Sequence, residues 1–399
     1  MKKLISLILV TVSFNLMAVL DYELVVNQPG LEDGSTQTIE RKFLDLLDQT
    51  PAGAQVHMNI YGLKLPEIAE ELVKAHKRGV KFDIVMRPFK EPESFKSVEI
   101  LRTQFKVSEL KICGFFCSSI AFNHNKFMLI SELKNGTKNI AIHTSNNFWD
   151  DERRNFNDFL IIKNNQALYE SLKKYFLTIK SGKSNPKISP QITDKIQMYT
   201  FPMRKTRRVG KPSTPLRRTI TTHYDPALAL LKQIKCAPGA KVQFAHSRFT
   251  NARKEVAKEL KKLKQAGCHV HVMLKNDVST EKIGPIKIIA DSPGSKIKKL
   301  LGDSLTVFPY EEGVNGRPYR KGDSKKNAIH SKIILIDAPL GENPEFQKRV
   351  LVGTFNFDAP SLKLNNELML IIDDENLYAD YLEIYNSLYQ SYLDKYGNK

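Results

Sequence analysis

Beyond about residue 20 the 399-residue chain has no apolar run long enough to cross a bilayer as a helix, which excludes a polytopic α-helical membrane protein. Cysteine is scarce, with four residues, and their spacing suits no four-ligand zinc pattern, so neither a metal nor another cofactor is expected. Acidic residues are also in deficit: 43 Asp and Glu stand against 61 Lys and Arg, a formal charge of +18. That excess favours polyanions or anionic membrane surfaces as partners, with a merely solvated lysine-rich surface as the plainer alternative. A hydrophobic content of 41% with 26% charged residues excludes wholesale disorder.

What is present begins with the first 18 residues. Lys2 and Lys3 precede an apolar run from Leu4 to about Leu20, broken by Ser6, Thr11, Ser13 and Asn15, with a small residue at Ala18. The pattern reads as a signal peptide over 1–18, with an uncleaved anchor as the alternative, and gives an expectation of a periplasmic or secreted protein. In an oxidising compartment the cysteines become disulfide candidates. Local pairing joins Cys113 to Cys117 and Cys236 to Cys268, the alternative being four buried thiols.

The rest of the chain repeats itself. In the first copy, ERKFLDLLDQ, AQVHMNIYGL, PEIAEELVKAHKRG and VKFDIVM read as helix, strand, amphipathic helix and strand. PALALLKQIK, AKVQFAHSRF, ARKEVAKELKKLKQAG and CHVHVML repeat that series, and Gly79 and Gly267 end the amphipathic helices as left-handed caps. The expectation is an α/β protein with repeats at 37–180 and 225–395, each a mixed β-sheet flanked by helices, and an active site between them. Residues 181–224 read as a basic Pro/Ser-rich linker, in which Arg204, Lys205, Arg207, Arg208, Arg217 and Arg218 are candidate phosphate ligands.

Each copy carries a matched set of polar residues. HNKFMLIS places His124 and Lys126 two apart, and HSKIILID does the same for His330 and Lys332, so each pair shares one face of a strand. A second cluster follows, Thr144-Ser145-Asn146-Asn147 in the first copy and Gly353-Thr354-Phe355-Asn356 in the second. Eleven residues after each last asparagine stands a carboxylate, Asp158 or Glu367. Histidine serves as nucleophile or proton carrier, while lysine and asparagine hold the oxygens of a phosphodiester. Ser145 and Thr354 donate further hydrogen bonds to substrate. By the equal spacing, Asp158 is expected to orient His124, as Glu367 orients the histidine of its own copy. His143 and His246 are placed near the cleft; His269 and His271 alternate on a strand as packing or surface residues.

This pattern resembles the phospholipase D superfamily, whose signature is His-x-Lys, then Asp after four more residues, then Gly-Ser-x-Asn. HSKIILID fits at His330, Lys332 and Asp337, and GTFN fits with Thr354 in place of serine. VGTFNFDAPSLKLNNELMLIID resembles the second motif of cardiolipin synthases and related phosphatidyl transferases. The first motif is looser, with Ser131 in place of the aspartate and Thr144 in place of the glycine. KFMLISE with IHTSNN resembles tyrosyl-DNA phosphodiesterases, which lack that aspartate and remain active. The resemblance implies two half-sites forming one centre, a phosphohistidine intermediate on His124, and His330 as general acid.

Three functions follow in order of preference. The first is an exported phospholipase D-type phosphodiesterase that hydrolyses or transfers phospholipid head groups at an anionic membrane surface. The second is a metal-independent nuclease or nucleic-acid phosphodiesterase, favoured by the charge but opposed by the lack of aromatics near the basic run. The third is a phosphate-binding protein with a degenerate site, motivated by Ser131. Both half-sites lie in one chain, so a monomer suffices for the chemistry. With Asp158 and Glu367 read as the orienting acids, Asp337 is read as a structural residue that holds its loop or strand in place.

Overall fold

The computed structural model describes residues 19–27, 37–87, 92–113, 117, 122–182, 189–209, 218–283, 286–308 and 328–396, with backbone alone at 204–209, 218–223, 277–283 and 286–290. The expected signal segment, 1–18, lies outside them. Among the described residues no helix is long and apolar enough to cross a membrane.

The first repeat runs β1 (Tyr22–Asn27), α1 (Thr38–Gln49), β2 (Gln55–Ile60), α2 (Pro66–Lys77), β3 (Lys81–Met86), α3 (Pro92–Gln104), β4 (Leu110–Ile112), β5 (Lys126–Glu132), β6 (Lys138–Thr144), β7 (Asn155–Ile162) and α4 (Gln166–Ser181). The second begins with β8 (Ile196–Phe201), β9 (Arg204–Val209), β10 (Arg218–His223), α5 (Pro226–Leu231), β11 (Lys241–His246), α6 (Lys254–Gln265) and β12 (His269–Lys275). It continues through β13 (Asp277–Ile283), β14 (Ile286–Ser292), α7 (Ser295–Leu301), β15 (Leu305–Phe308), β16 (Ala328–Ile329), β17 (Lys332–Leu340), β18 (Asn343–Gly353), α8 (Ala359–Lys363), β19 (Glu367–Asp373) and α9 (Glu375–Tyr396).

The two large sheets share one topology. Strand order is β4-β3-β2-β5-β6-β7-β1 in the first and β15-β12-β11-β17-β18-β19-β8 in the second. In each, three strands run parallel and the others pair antiparallel, the mixed sheet the duplication predicts. Gly79 and Gly267, at φ of +98° and +97°, end α2 and α6 as expected, in a backbone region that costs other residues strain.

Two repeat boundaries differ from the sequence reading. The first repeat begins earlier than residue 37, because β1 forms the edge strand beside β7. The expected linker contains the matching edge strand: β8 pairs with β19, and Ile196 and Met198 are buried in the core. β8 alternates weakly and is flanked by Pro and basic residues, so its strand character comes from its sheet partner. Farther along the same segment, β9 and β10 form an antiparallel hairpin. The side chains of Arg204, Lys205, Arg207, Arg208 and Arg218, and all of Arg217, fall outside the described set.

Three apolar clusters layer the molecule. One face of the first sheet packs on α1, α2 and α3 through residues such as Phe43, Leu72 and Leu101. The corresponding face of the second sheet packs on α5, α6 and α7 through Leu231, Leu260 and Ile297. Between the sheets lie α4 and α9, whose Leu172, Tyr175, Phe176, Leu377, Tyr381 and Leu388 meet the inner faces of both. Each such side chain contributes about 1.5–3 kcal/mol on burial, so the two repeats share one continuous core and hold each other in register. Cys113 is bonded to Cys117 and Cys236 to Cys268, as local pairing predicts.

Candidate active site

Each histidine is fastened to the opposite repeat before its side chain makes any contact. The His124 backbone N–H donates to the Asn366 carbonyl at 2.9 Å, and Asn366 N–H donates to the Phe122 carbonyl at 2.9 Å. On the other side β16 pairs with the start of β7, and the N–H groups of His330 and Ser331 both donate to the Phe156 carbonyl, at 3.0 and 2.9 Å. The segment before each histidine is thus annealed to the other repeat beside its acid: to the residue preceding Glu367 on one side, and to the strand that follows the Glu152 turn on the other.

The side chains follow the same crossing. His124 Nδ1 lies 2.9 Å from Glu367 Oε2. His330 Nδ1 lies 3.1 Å from Glu152 Oε2 and 3.1 Å from Asn157 Oδ1. This corrects the expected pairing of His124 with Asp158, and of Glu367 with the histidine of its own copy. Asp158 instead accepts from the Tyr381 hydroxyl at 3.2 Å.

Strand register explains the error. Thr144 opposes Phe159 across β6 and β7, whereas Gly353 opposes Met369 across β18 and β19. The first connection is one residue shorter, so the counterpart of Glu367 is Asn157 and that of Asp158 is Leu368. The hydroxyl bonds agree: Ser145 Oγ accepts from Asp158 N–H and donates to Asn157 Oδ1, while Thr354 Oγ1 accepts from Leu368 N–H and donates to Glu367 Oε2. Ser145 and Thr354 therefore brace the residues that orient the histidines. Counting residues from the asparagine had compared different positions on the two strands.

In the first repeat an amide occupies the carboxylate's place and the charge enters from the turn at Asp150–Arg154. Glu152 is 3% exposed and receives hydrogen bonds from the side-chain amides of Asn147, Asn155 and Asn157. Its neighbour Arg153 anchors the turn to Glu40 on α1 and Glu67 on α2, at 2.7 and 2.9 Å. Glu152 escaped the sequence reading because DDERR looks like an exposed charged turn, and the equal residue count in the two copies gave no sign of the shifted register.

Lys126 Nζ donates to the His124 carbonyl at 3.0 Å, and Lys332 Nζ donates to the His330 carbonyl. Burial pulls both ammonium groups down, Lys126 to about 7 against the pull of Glu367, and Lys332 to about 8 against Glu152, Asp158 and Glu367. Burial, aided by both lysines, pushes His124 well below the usual imidazole range. Burial lowers His330 to about 4, opposed by Glu152. The two acids are unlike. Burial raises Glu367 to about 7 despite Lys126 and Thr354, whereas for Glu152 the same desolvation is outweighed by His330 and the amides, which hold it below the carboxylate range.

The flanks break the two-fold symmetry. Tyr61 meets His124 edge-on with ring centroids 4.7 Å apart, and its ring lies 5.8 Å from that of Trp149. Lys64 sits 4.1 Å above Trp149, and Arg87 lies 4.0 Å from Phe122 and donates to the Tyr61 hydroxyl at 3.1 Å. On the other side Ser247 Oγ donates to Asn356 Oδ1 at 3.1 Å. Of the remaining histidines, His143 and His246 are buried near the site, and His271 packs against Tyr385 and Tyr389.

Ser131 and Asp337 occupy equivalent places, since Val56 opposes Ile130 and Val242 opposes Ile336. Both lie five residues along the strand from the site lysine, roughly 16 Å away. Ser131 Oγ accepts the Gln55 N–H at 2.9 Å, and Asp337 lies between Lys241 and Lys348 in register. Ser131→Asp is expected to change kcat/KM by no more than about twofold, as for a remote surface substitution; a tenfold change would show that the position communicates with the site. Thr144 is similarly benign: Gly353 has no room for a Cβ, which would stand 2.5 Å from the Leu368 carbonyl, whereas Thr144 Oγ1 donates to the equivalent Asp158 carbonyl at 2.8 Å.

The family model described as "Cardiolipin synthase, PLD-like domain" matches residues 44–180 and 230–389, covering both repeats. Phosphatidylserine synthase from Haemophilus influenzae superposes with a TM-score of 0.55 over 92% of this chain and 86% of its own, at 10% identity. Polyphosphate kinase from Porphyromonas gingivalis superposes with a TM-score of 0.52 over 92% of this chain at 12% identity, and this chain spans 50% of that kinase. Yeast tyrosyl-DNA phosphodiesterase gives 0.43 over 88% of this chain and 90% of its own, at 13% identity. At these identities the first two superpositions speak to fold alone, and no curated protein sequence matches the chain. With the family model covering both repeats and a His-x-Lys pair in each, the chain belongs to the phospholipase D superfamily of phosphodiesterases and phosphotransferases.

Proposed function

We propose that the protein is an exported phosphodiesterase that hydrolyses or transfers phospholipid head groups through a phosphohistidine. The observation that carries the chemistry is the crossed pair, His124 with Glu367 and His330 with Glu152, around two buried lysines. With Nδ1–H given to Glu367, His124 presents the Nε2 lone pair. That nitrogen attacks phosphorus, the bond to the leaving alcohol breaks, and the departing oxygen takes the proton of His330 Nε2. Water or a second alcohol then attacks, the P–N bond breaks, and its proton returns to His330. Lys126 and Lys332 neutralise the non-bridging oxygens.

The unlike acids support this division of labour. Glu152, held as an anion, opposes the burial that lowers His330, and so makes it the readier of the two imidazoles to carry a proton to the leaving oxygen. Glu367, raised to about 7, gives His124 less cationic support and so leaves it a base and nucleophile. For the phospholipid substrate the support is the cardiolipin synthase description of the family model, the basic charge and the signal-like first 18 residues.

A second reading, cleavage of nucleic-acid phosphodiesters, has its own observation: the aromatic and cationic flank of Tyr61, Trp149, Phe122, Lys64 and Arg87 suits a single strand. A disabled binder loses its motive, because Ser131 is remote from both histidines. The test offers mature protein, with EDTA present, phosphatidylcholine, phosphatidylglycerol, plasmid and single-stranded DNA. Phosphatidic acid or a transphosphatidylation product is expected. Nicked DNA without lipid turnover would replace the first reading by the second, and silence on all four would overturn both.

A further inference from the structure

A third carboxylate lies beneath the site and touches neither catalytic histidine. Asp158 is 1% exposed; its Oδ2 accepts from Tyr381 on α9 of the second repeat and stands 3.7 Å from His143 Nε2, while its Oδ1 has no hydrogen-bond partner. Both ring nitrogens of His143 also lack a hydrogen bond. In the second repeat the register equivalents of Asp158 and His143 are Leu368 and Val352, both fully buried. The same fold thus packs this position with aliphatic side chains, so packing alone does not call for a charge. Burying a carboxylate with one oxygen unpaired costs several kcal/mol unless another charge compensates.

A compensating charge is set beside it by the backbone: β16 pairs with β7, and the N–H groups of His330 and Ser331 bind the carbonyl of Phe156, two residues before Asp158, so Lys332 enters its strand alongside that stretch of β7. Lys332 and Lys126 are 1% and 0% exposed, and each ammonium donates to the backbone carbonyl of its own histidine. Among the described residues neither forms a direct ion pair with a carboxylate, and Glu152 and Glu367 are committed to His330 and His124. We propose that Asp158 is a buried counter-charge that keeps Lys332 cationic, held across the repeat boundary by Tyr381. The proposal rests on the reading of Lys332 as a phosphate ligand, and makes Asp158 a positioning residue, not a catalytic one.

The charged and titratable groups that interact with Lys332 include Glu152 from the turn before β7, Asp158 from β7, Glu367 from β19, Lys275 from β12, His246 from β11, and His330, His143 and Lys126. Of these, Glu152, Asp158 and Glu367 sustain its positive charge against burial. Burial pushes His143 down to about 4 against the pull of Asp158, so it brings no positive charge of its own near pH 7.

The experiment follows Lys332 itself, by NMR titration of protein labelled at lysine ¹³Cε, with Lys332→Arg providing the assignment. In Asp158→Asn the midpoint is expected to fall by about one pH unit, equivalent to a tenfold larger neutral fraction at fixed pH above it. The basic limb of kcat/KM should move with it. Tyr381→Phe keeps the charge and removes one hydrogen bond, so it should lower Tm while leaving the midpoint in place. If Asp158→Asn misfolds, the double variant Asp158→Leu with His143→Val copies the second repeat's packing and supplies the charge-free protein. An unchanged Lys332 midpoint in the folded charge-free variant overturns the proposal, as does an equal shift in Tyr381→Phe. Because the titration needs no substrate, a shifted midpoint with no turnover of any phosphodiester would sink the reaction above and leave the counter-charge standing.

Discussion

His124→Ala abolishes phosphodiester turnover, by on the order of 10⁴-fold or more, and with it the covalent intermediate. The expectation follows from geometry. Glu367 Oε2 receives Thr354 Oγ1 at 2.7 Å and Asn365 Nδ2 reaches Oε1 at 3.2 Å, so the acid that orients His124 is itself fixed. Within the site, His330 is bound to Glu152 and Asn157 through Nδ1 and stands ready to serve the leaving oxygen. The measurement is rapid-mix labelling with a ³²P-phosphodiester, quenched in alkaline detergent and followed by peptide mapping at alkaline pH. An acid-labile, base-stable phosphoryl group should appear on the peptide containing His124 and vanish in the variant. Label on the His330 peptide, with His124→Ala still labelled, would reverse the two roles.

Glu152→Gln is expected to lower kcat by about 10²–10⁴-fold, the contribution typical of general acid–base catalysis. Glutamine preserves shape, and the Asn157 contact remains, so folding should survive. What is lost is the anion that stabilises a protonated His330. The leaving group separates this from general damage. A p-nitrophenyl diester, whose oxygen leaves without a proton, should still release its first equivalent of nitrophenol at nearly the normal rate and then stall, because His330 cannot activate water. Diesters with alkyl leaving groups should lose the first step as well. A variant that slows the nitrophenol burst as much as alkyl cleavage would refute the assignment of Glu152 to the general acid. Asp158→Asn, by contrast, should act through the basic limb of the pH profile.

Much of this protein was legible without coordinates. The order of helices and strands, the glycine caps, the disulfide pairs and both His-x-Lys faces are local properties, written within one element or its neighbours. Duplication made them firmer, since a pattern seen twice at matching places is not chance. Edge strands β1 and β8 were harder. Their hydrophobic pattern is short, and they become strands because a partner edge offers unpaired backbone groups.

The sequence by itself determined the two-repeat α/β fold and the identity of the histidines, lysines, asparagines and hydroxyls at its centre. Only the tertiary structure decided which acid serves which histidine. His124 meets Glu367 across 243 residues, and His330 meets Asn157 across 173, through backbone pairing between repeats that leaves no mark on local periodicity. One residue fewer in a connection moved Asp158 to the other face of its strand, since side chains alternate with a period of two. The same shift made Asn157 the orienting amide and drew the charge from Glu152 in a turn. The serine that ends HNKFMLIS lies at the far end of its strand, where a hydroxyl and a carboxylate each meet a local need and neither reaches the paired histidines.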